Sequence, residues 1–403
     1  MSMKHRVLLL SLLVPFVVMC DKPVEPDKPD DSGNTGQDIY AEAPAEIVNG
    51  STILVTNEVI EHFLTNVKYT AHDYSDTAIK NRDYNGNLVS PGKYDPQPQY
   101  SIRWKKEDIS QGEEVTVTVT EDGTGKKFVF TPADSETYYA VVYNFLPGAS
   151  YTYKAVAESG KVLKEGSFST RGHLHHMNFK SKVRNCRDLG GWKTTDGKTV
   201  KYRMVYRGGR IQKSTLTAAG IKMLQNEGIV AELDLRGKSD VNTWEDDGDD
   251  WGANKWIKNR EDFCSPIIEE GYTQMLRDDK EKTRQCMQFI FDCVKSNKPV
   301  YFHCSLGRDR TGTVAMLTLG ILGVDEGDIS QEYELTQFAP SGYSVSEGEK
   351  TQMTRKVDYK SAATFIWDNY AKGGSFQQGV QAYLLEIGIS QKDIDDFRAA
   401  MLL

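Results

Sequence analysis

The chain carries two hydrophobic rhythms in succession. Between residues 46 and 170 apolar and polar positions alternate with a period of two. Val115, Val117 and Val119 are separated by threonines, Tyr139, Val141 and Tyr143 form a second run, and Tyr151, Tyr153 and Ala155 a third. Turn-forming pairs lie between the runs at Asp122-Gly123, Pro147-Gly148 and Ser159-Gly160. This spacing predicts an all-β sandwich over residues 46–172. Past Ser169-Thr170-Arg171-Gly172 the rhythm changes: short apolar runs at 230–235 and 300–302 alternate with helix-period stretches at 216–227, 282–294 and 311–322. The alternation predicts an α/β unit over 173–403, a parallel-type sheet flanked by helices. A segment of that length can bury its own core, so it is expected to fold without the sandwich.

The start of the chain follows neither rhythm. Lys4, His5 and Arg6 precede an apolar run over 7–18, which is too short to span a bilayer, and Cys20 follows Met19. Residues 1–20 resemble a bacterial lipoprotein signal, which implies a lipid on Cys20 and attachment to the membrane at the cell envelope. Met19 stands where a small residue is usual, and an uncleaved anchor or a secreted form is the alternative. Residues 21–45, rich in Pro, Gly and acid, predict a disordered linker. With 49 basic and 57 acidic residues the chain carries a net charge of −8. Loss of Lys4 and Arg6 with the signal takes this to −10, so nucleic acid is not an expected partner.

Candidate chemistry concentrates in His303-Cys304-Ser305-Leu306-Gly307-Arg308-Asp309-Arg310-Thr311-Gly312, between the apolar run that ends at Phe302 and a predicted helix. A strand-to-helix loop points successive amides and a positive helix end into one concavity, which suits an anion. Cys304 at its floor is then placed as a thiolate nucleophile. The planar fork of Arg310 can hold two phosphoryl oxygens, and Thr311 can donate its hydroxyl to the sulfur. Gly307 permits a turn that a side chain would obstruct. Ser305, Leu306, Gly307, Arg308, Thr311 and Gly312 complete the expected phosphate site. Such chemistry requires neither metal nor cofactor.

The decapeptide resembles the H-C-x-x-G-x-x-R-[ST]-G signature of cysteine-dependent tyrosine and dual-specificity phosphatases. The blocks Asn185-Cys186-Arg187-Asp188-Leu189-Gly190-Gly191, Tyr206-Arg207-Gly208-Gly209-Arg210 and Asp234-Leu235-Arg236 are similar to those of the secreted bacterial tyrosine/serine phosphatase family. The family's loop usually reads G-K-D-R-T-G, and here Arg308 replaces the lysine. The resemblance extends from about residue 176 to 403, closing on Ser375 to Leu403. It implies Asp309 as general acid, with His303, Arg187, Asp188, Asp234 and Arg236 supporting the loop. Other cysteine phosphatases supply the acid from a separate loop, for which Asp240, Asp246 and Asp262 are candidates. The stretch Leu146-Pro147-Gly148-Ala149-Ser150-Tyr151 resembles a fibronectin type III corner, where a tyrosine ties a loop to a strand.

Other groups weigh less. His173, His175 and His176 lack a second ligand cluster, and a polar junction is expected rather than a metal site. The acidic run 245–250 lacks calcium-loop spacing and is expected to be a solvated flap. Cys286 and Cys293 lie seven apart in a predicted helix, about 10.5 Å along its axis, too far for a disulfide. Cys186 and Cys264 are left without an assignment. The expected function is a phosphomonoesterase acting through a phosphocysteine on phosphorylated protein, with phosphoinositides or inositol phosphates as the alternative substrate. A non-catalytic phosphate-binding or adhesion lipoprotein is the rival from another class. The arginine pair Arg308 and Arg310 is what keeps the phosphoinositide alternative open.

Overall fold

The computed structural model describes residues 40–65, 99–175, 183, 185–211, 217–238, 240, 262–337 and 357–403. The expected signal with Cys20, most of the 21–45 linker, His176, Asp246 and the acidic run 245–250 lie outside the described residues.

The period-two segment folds into β1 (Ser51–Leu54), β2 (Tyr100–Arg103), β3 (Val115–Glu121), β4 (Lys127–Phe130), β5 (Tyr139–Val142), β6 (Ser150–Ala157) and β7 (Val162–Arg171). One sheet runs β1-β7-β6-β3-β4, antiparallel except for the parallel pair β1/β7, and β2 pairs antiparallel with β5. Both sheets contribute to one apolar cluster, with Ile102, Ala140 and Val142 beside Val117, Tyr153 and Phe168. Strand β3 buries Val115, Val117 and Val119 as its alternation requires. Strand β5 has the opposite phase from the one its large side chains suggest. Ala140 and Val142 are buried, whereas Tyr139 and Val141 are half-buried. Ala140 lies in register with the buried Ile102, so the inner face follows the cross-strand contact and not the bulk of the residue. The Tyr151 hydroxyl accepts from the Leu146 amide at 2.9 Å and donates to Glu121 Oε2 at 3.0 Å, tying the loop to the strand.

The second rhythm folds into β8 (Arg187–Asp188), β9 (Val205–Gly208), β10 (Ala231–Asp234), β11 (Asp262–Cys264) and β12 (Val300–His303), in the order β11-β10-β12-β9-β8. The first four strands in that order run parallel, and β8 is antiparallel to β9. All residues of β9, β10 and β12 are buried, as strands covered on both faces must be.

Helix α1 (Glu58–Leu64) is the one α-helix that comes from the β-rich segment, among the described residues. It is started by Asn57, whose side chain accepts from the Ile60 amide. The helices of the α/β segment are α2 (Ala218–Glu227), α3 (Tyr272–Asp278), α4 (Lys280–Lys295), α5 (Asp309–Leu322), α6 (Glu326–Glu334), α7 (Val357–Ile366), α8 (Phe376–Glu386) and α9 (Gln391–Met401).

The border near residue 172 is not a clean division. Ile60, Phe63 and Leu64 of α1 belong to the apolar core of the α/β segment, together with Leu189, Ile329 and Tyr333. Gln331 on α6 donates to the Phe63 carbonyl at 3.1 Å. Arg203 Nη1 donates to Glu121 Oε2 at 2.7 Å, with the guanidinium 5.1 Å from the Phe128 ring. His175, expected in a polar junction, is fully buried: its Nε2 lies 3.2 Å from the Asn144 carbonyl oxygen and its Nδ1 3.3 Å from Asp188 Oδ2. Residues Tyr40–Leu403 accordingly form one compact unit.

Candidate active site

Register brings three strand ends level. Asp234 on β10 pairs with His303 on β12, and His303 with Gly208 on β9. The chain then turns through residues 304–308 into α5, with Cys304 buried at the strand end. Among the described residues, the amides of Ser305, Leu306, Gly307, Asp309 and Arg310 donate no hydrogen bond. The loop carbonyls point elsewhere: Ser305 accepts from the Arg210 amide at 3.2 Å, and Gly307 accepts from Asn185 Nδ2 at 2.7 Å and from Arg207 Nη2. Carbonyls bound from outside and amides left unbonded make a cradle for an anion at a helix N-terminus.

Gly307 has φ +69°, and a Cβ there would lie 2.2 Å from the Gly208 backbone carbon, so only glycine lets the loop cross β9. Gly312, expected among the phosphate-binding residues, has another role. Its amide is spent on the Arg308 carbonyl at 2.7 Å, so it is not part of the cradle, and a Cβ would lie 2.8 Å from the Tyr333 ring. Thr311 also departs from expectation: its hydroxyl is buried and makes no hydrogen bond to the Cys304 sulfur.

Behind the loop, Glu332 takes Arg187 Nε on one oxygen at 2.6 Å and Arg207 Nη1 on the other at 2.7 Å. Arg187 also donates to the Glu332 carbonyl at 2.7 Å and to the Asn185 side chain. Burial, then the charge of Arg207, pulls the Arg187 guanidinium down to about 10 against the pull of Glu332. Arg187 therefore supports the loop through Asn185 and, by sharing Glu332 with Arg207, through the second donor to Gly307. Asp188 supports a different turn: it accepts from the Gly190 amide at 2.8 Å and the Arg203 amide at 2.6 Å.

Arg310 uses only Nη1 among the described residues, donating to Asp240 Oδ2 at 2.6 Å and to the Ile268 carbonyl at 2.9 Å, with Leu235 O at 3.4 Å. Burial opposes its charge, but the Cys304 sulfur and Asp240 outweigh burial and raise it. Asp240 also accepts from the Ser305 hydroxyl and from the Gly237 amide at 2.9 Å. Arg308, expected to add positive charge for substrate, instead grips its neighbour Asp309 through Nε and Nη2. The Tyr272 hydroxyl donates to Asp309 Oδ1 at 2.5 Å and lies 2.6 Å from the Tyr333 hydroxyl.

His303 is fully buried, its Nε2 3.0 Å from Glu232 Oε1 and its Nδ1 3.8 Å from Asp234 Oδ1. Glu232, Asp234 and His303 are close enough to share an ion. Their atoms have other work: Arg236 grips both Asp234 oxygens, at 3.0 Å and 2.8 Å, and Glu232 takes the imidazole. His173 and His175 go to separate partners, Glu61 and the Asn144–Asp188 pair. Asp262 lies level with Ala231, at the opposite end of the sheet from Cys304, and pairs with Lys298 at 2.6 Å, which removes it as a proton donor. Cys186, Cys264, Cys286, Cys293 and Cys304 are free thiols. Sequence reasoning missed Asn185, Glu232, Tyr272, Glu332 and Tyr333 as members of the site. Of these only Asn185 falls inside a recognisable block.

Residues 180–403 match the tyrosine phosphatase family. The chain is 26% identical over 172 residues to a Cupriavidus necator protein provisionally named a tyrosine-protein phosphatase, covering 40% of this chain and 62% of that one. It is 25% identical over 149 residues to the tyrosine-protein phosphatase of Nostoc commune, covering 33% and 48%. The match thus spans less than two thirds of either relative. Among solved structures, TpbA of P. aeruginosa is 15% identical and covers 48% of this chain and 91% of its own, with a TM-score of 0.26.

Proposed function

Because the chain belongs to the tyrosine phosphatase family, we propose that it hydrolyses phosphomonoesters through a phosphocysteine and that phosphotyrosine in protein is its substrate class. The observation that carries the reading is the cradle itself: unbonded loop amides and the Arg310 guanidinium surround a cysteine at a helix N-terminus. A phosphoryl group seated there receives donors on its equatorial oxygens, and Cys304 lies beneath the phosphorus. The sulfur attacks, negative charge spreads over oxygens already facing donors, and the ester oxygen leaves with a proton. Water then cleaves the S–P bond and releases phosphate. Both named relatives are tyrosine phosphatases by name, which favours tyrosine. Phosphoinositides lose their main support, since Arg308 is spent on Asp309. On the pattern of residues 1–20, the enzyme would work at the cell envelope, held there through Cys20.

The test is Cys304→Ser. A neutral hydroxyl in a cradle built for anions should abolish turnover while orthovanadate, a mimic of the phosphoryl transition state, still binds. Substantial turnover by this variant would sink the phosphocysteine. Phosphotyrosine peptides, phosphoserine peptides and phosphoinositides, offered in parallel to residues 40–403, decide the substrate class.

A further inference from the structure

The two aspartates beside the loop are held in different ways. Asp309 is gripped by Arg308 Nε and Nη2 and by the Tyr272 hydroxyl, none of which is a group that a bound phosphoryl would recruit. These bonds therefore involve neither Arg310 nor Ser305. Asp240 is held by Arg310, by Ser305 and by the Gly237 amide. Two of those three partners belong to the cradle. Asp240 thus holds the guanidinium that a phosphoryl group needs.

We propose that Asp240 is the catalytic proton donor, and that the phosphoryl group arms it by displacing its carboxylate from Arg310. The inference rests on the phosphocysteine reading and assigns the acid which that reading leaves open. As the monoanionic ester enters, its oxygens take Arg310, and the released Asp240 carboxylate takes up the ester's proton or one from solvent. Cys304 then forms the S–P bond while the P–O bond breaks, and the Asp240 proton passes to the departing oxygen. In the second step Asp240, again a carboxylate, accepts a proton from water as the new P–O bond forms. The S–P bond breaks, and phosphate leaves with the thiolate restored.

The charges around Asp240 agree with this cycle. Burial would raise its carboxyl, but the bonds from Arg310 and Ser305 and the charge of Arg310 outweigh burial and hold it below the usual range. Once a phosphoryl dianion has taken Arg310, burial and like-charge repulsion remain, and both favour the protonated form. The turn also carries Arg236, paired with Asp234, and Lys238, whose amide donates to Glu269 at 2.6 Å; Glu269 would lie 2.3 Å from a Cβ on Gly237.

The experiment compares Asp240→Asn with Asp309→Asn on phenyl phosphate and on 2,4-dinitrophenyl phosphate. Phenol leaves poorly without a proton, whereas dinitrophenolate leaves unaided. Asp240→Asn should lose a hundredfold or more in kcat on phenyl phosphate, less than tenfold on the dinitrophenyl ester, and the alkaline limb of the kcat–pH profile. Asp309→Asn should lose about the same factor on both. Orthovanadate binding by Asp240→Asn verifies that its cradle is intact, and Asp240→Glu should restore part of the phenyl phosphate activity. The proposal is overturned if the leaving-group-dependent loss belongs to Asp309→Asn, if Asp240→Asn loses equally on both esters, or if it turns over faster because a plug has been removed. A wild-type protein inactive on both esters would overturn the phosphocysteine reading as well, so the two failures are distinguishable.

Discussion

Asn185 and Gly307 are 122 residues apart in the chain, and the side-chain nitrogen of the first donates to the carbonyl oxygen of the second at 2.7 Å. The bond occupies a loop carbonyl from outside the cradle. Anion binding therefore depends on a residue that never meets the anion. Asn185→Ala removes one of the two donors that hold the Gly307 carbonyl, a loss of about 1–2 kcal/mol for a buried acceptor. Vanadate should bind roughly tenfold or more weakly, measured by competition against an aryl phosphate. Unchanged vanadate affinity would mean that Arg207 alone fixes the loop.

Arg310→Lys keeps a positive charge and loses the planar fork. Nη1 serves Asp240 and the Ile268 carbonyl, and a phosphoryl group that takes the place of Asp240 is held by the whole fork. A lysine ammonium cannot hold two phosphoryl oxygens in one plane. We expect kcat/KM to fall by a hundredfold or more, about 3 kcal/mol. A loss under tenfold would show that Arg310 does not clamp the transition state.

These two residues differ in how legible they were. The Cys304–Arg310 loop could be read because its parts are contiguous and lie between an apolar run and a helical one. Glu332 could not, because the pairing of one carboxylate with Arg187 and Arg207 spans 145 and 125 residues and leaves no local pattern. Tyr272 and Tyr333 are hidden for the same reason. Helix α1 did leave a signal: Asn57 as a cap, then Ile60, Phe63 and Leu64 at helical spacing. Seven residues inside a β-rich stretch are too short a window for that period to stand out. The phase of β5 was ambiguous for a further reason, since alternation sets two faces and only the partner strand decides which is inner.

The Glu121–Arg203 bridge predicts a pH dependence for the joint between the two halves. Burial raises the Glu121 carboxyl, but Arg203, Thr124 and Tyr151 together lower it below the ordinary value. A carboxyl lowered in the folded state stabilises above its unfolded pKa, about 4.3, and that contribution fades as pH falls through the folded value. Glu121→Gln should therefore be less stable than wild type at neutral pH in urea denaturation. The gap should close toward acid, once the wild-type carboxylate is also protonated. A gap that is constant from neutral pH to about pH 3 would mean that the bridge contributes nothing through charge.

Removal of the β-rich half tests whether the catalytic half stands alone, as its length and its own strand and helix pattern led one to expect. Residues 173–403 would lose Ile60, Phe63 and Leu64 from their core, and with them the carbonyl that holds Gln331. Each of those side chains contributes roughly 1.5–3 kcal/mol by burial, against a total domain stability of about 5–15 kcal/mol. Arg203 and His175 would also lose Glu121 and the Asn144 carbonyl. We therefore expect residues 173–403 to be insoluble or to melt far below residues 40–403. Phe63→Ala in the longer protein isolates the packing from the charge contacts. It should cost about 3–5 kcal/mol in denaturant and abolish para-nitrophenyl phosphate turnover at the same midpoint, because its cavity opens in the catalytic core. A soluble, active 173–403 with the melting temperature of the longer protein would show instead that α1 only lies against a core already complete.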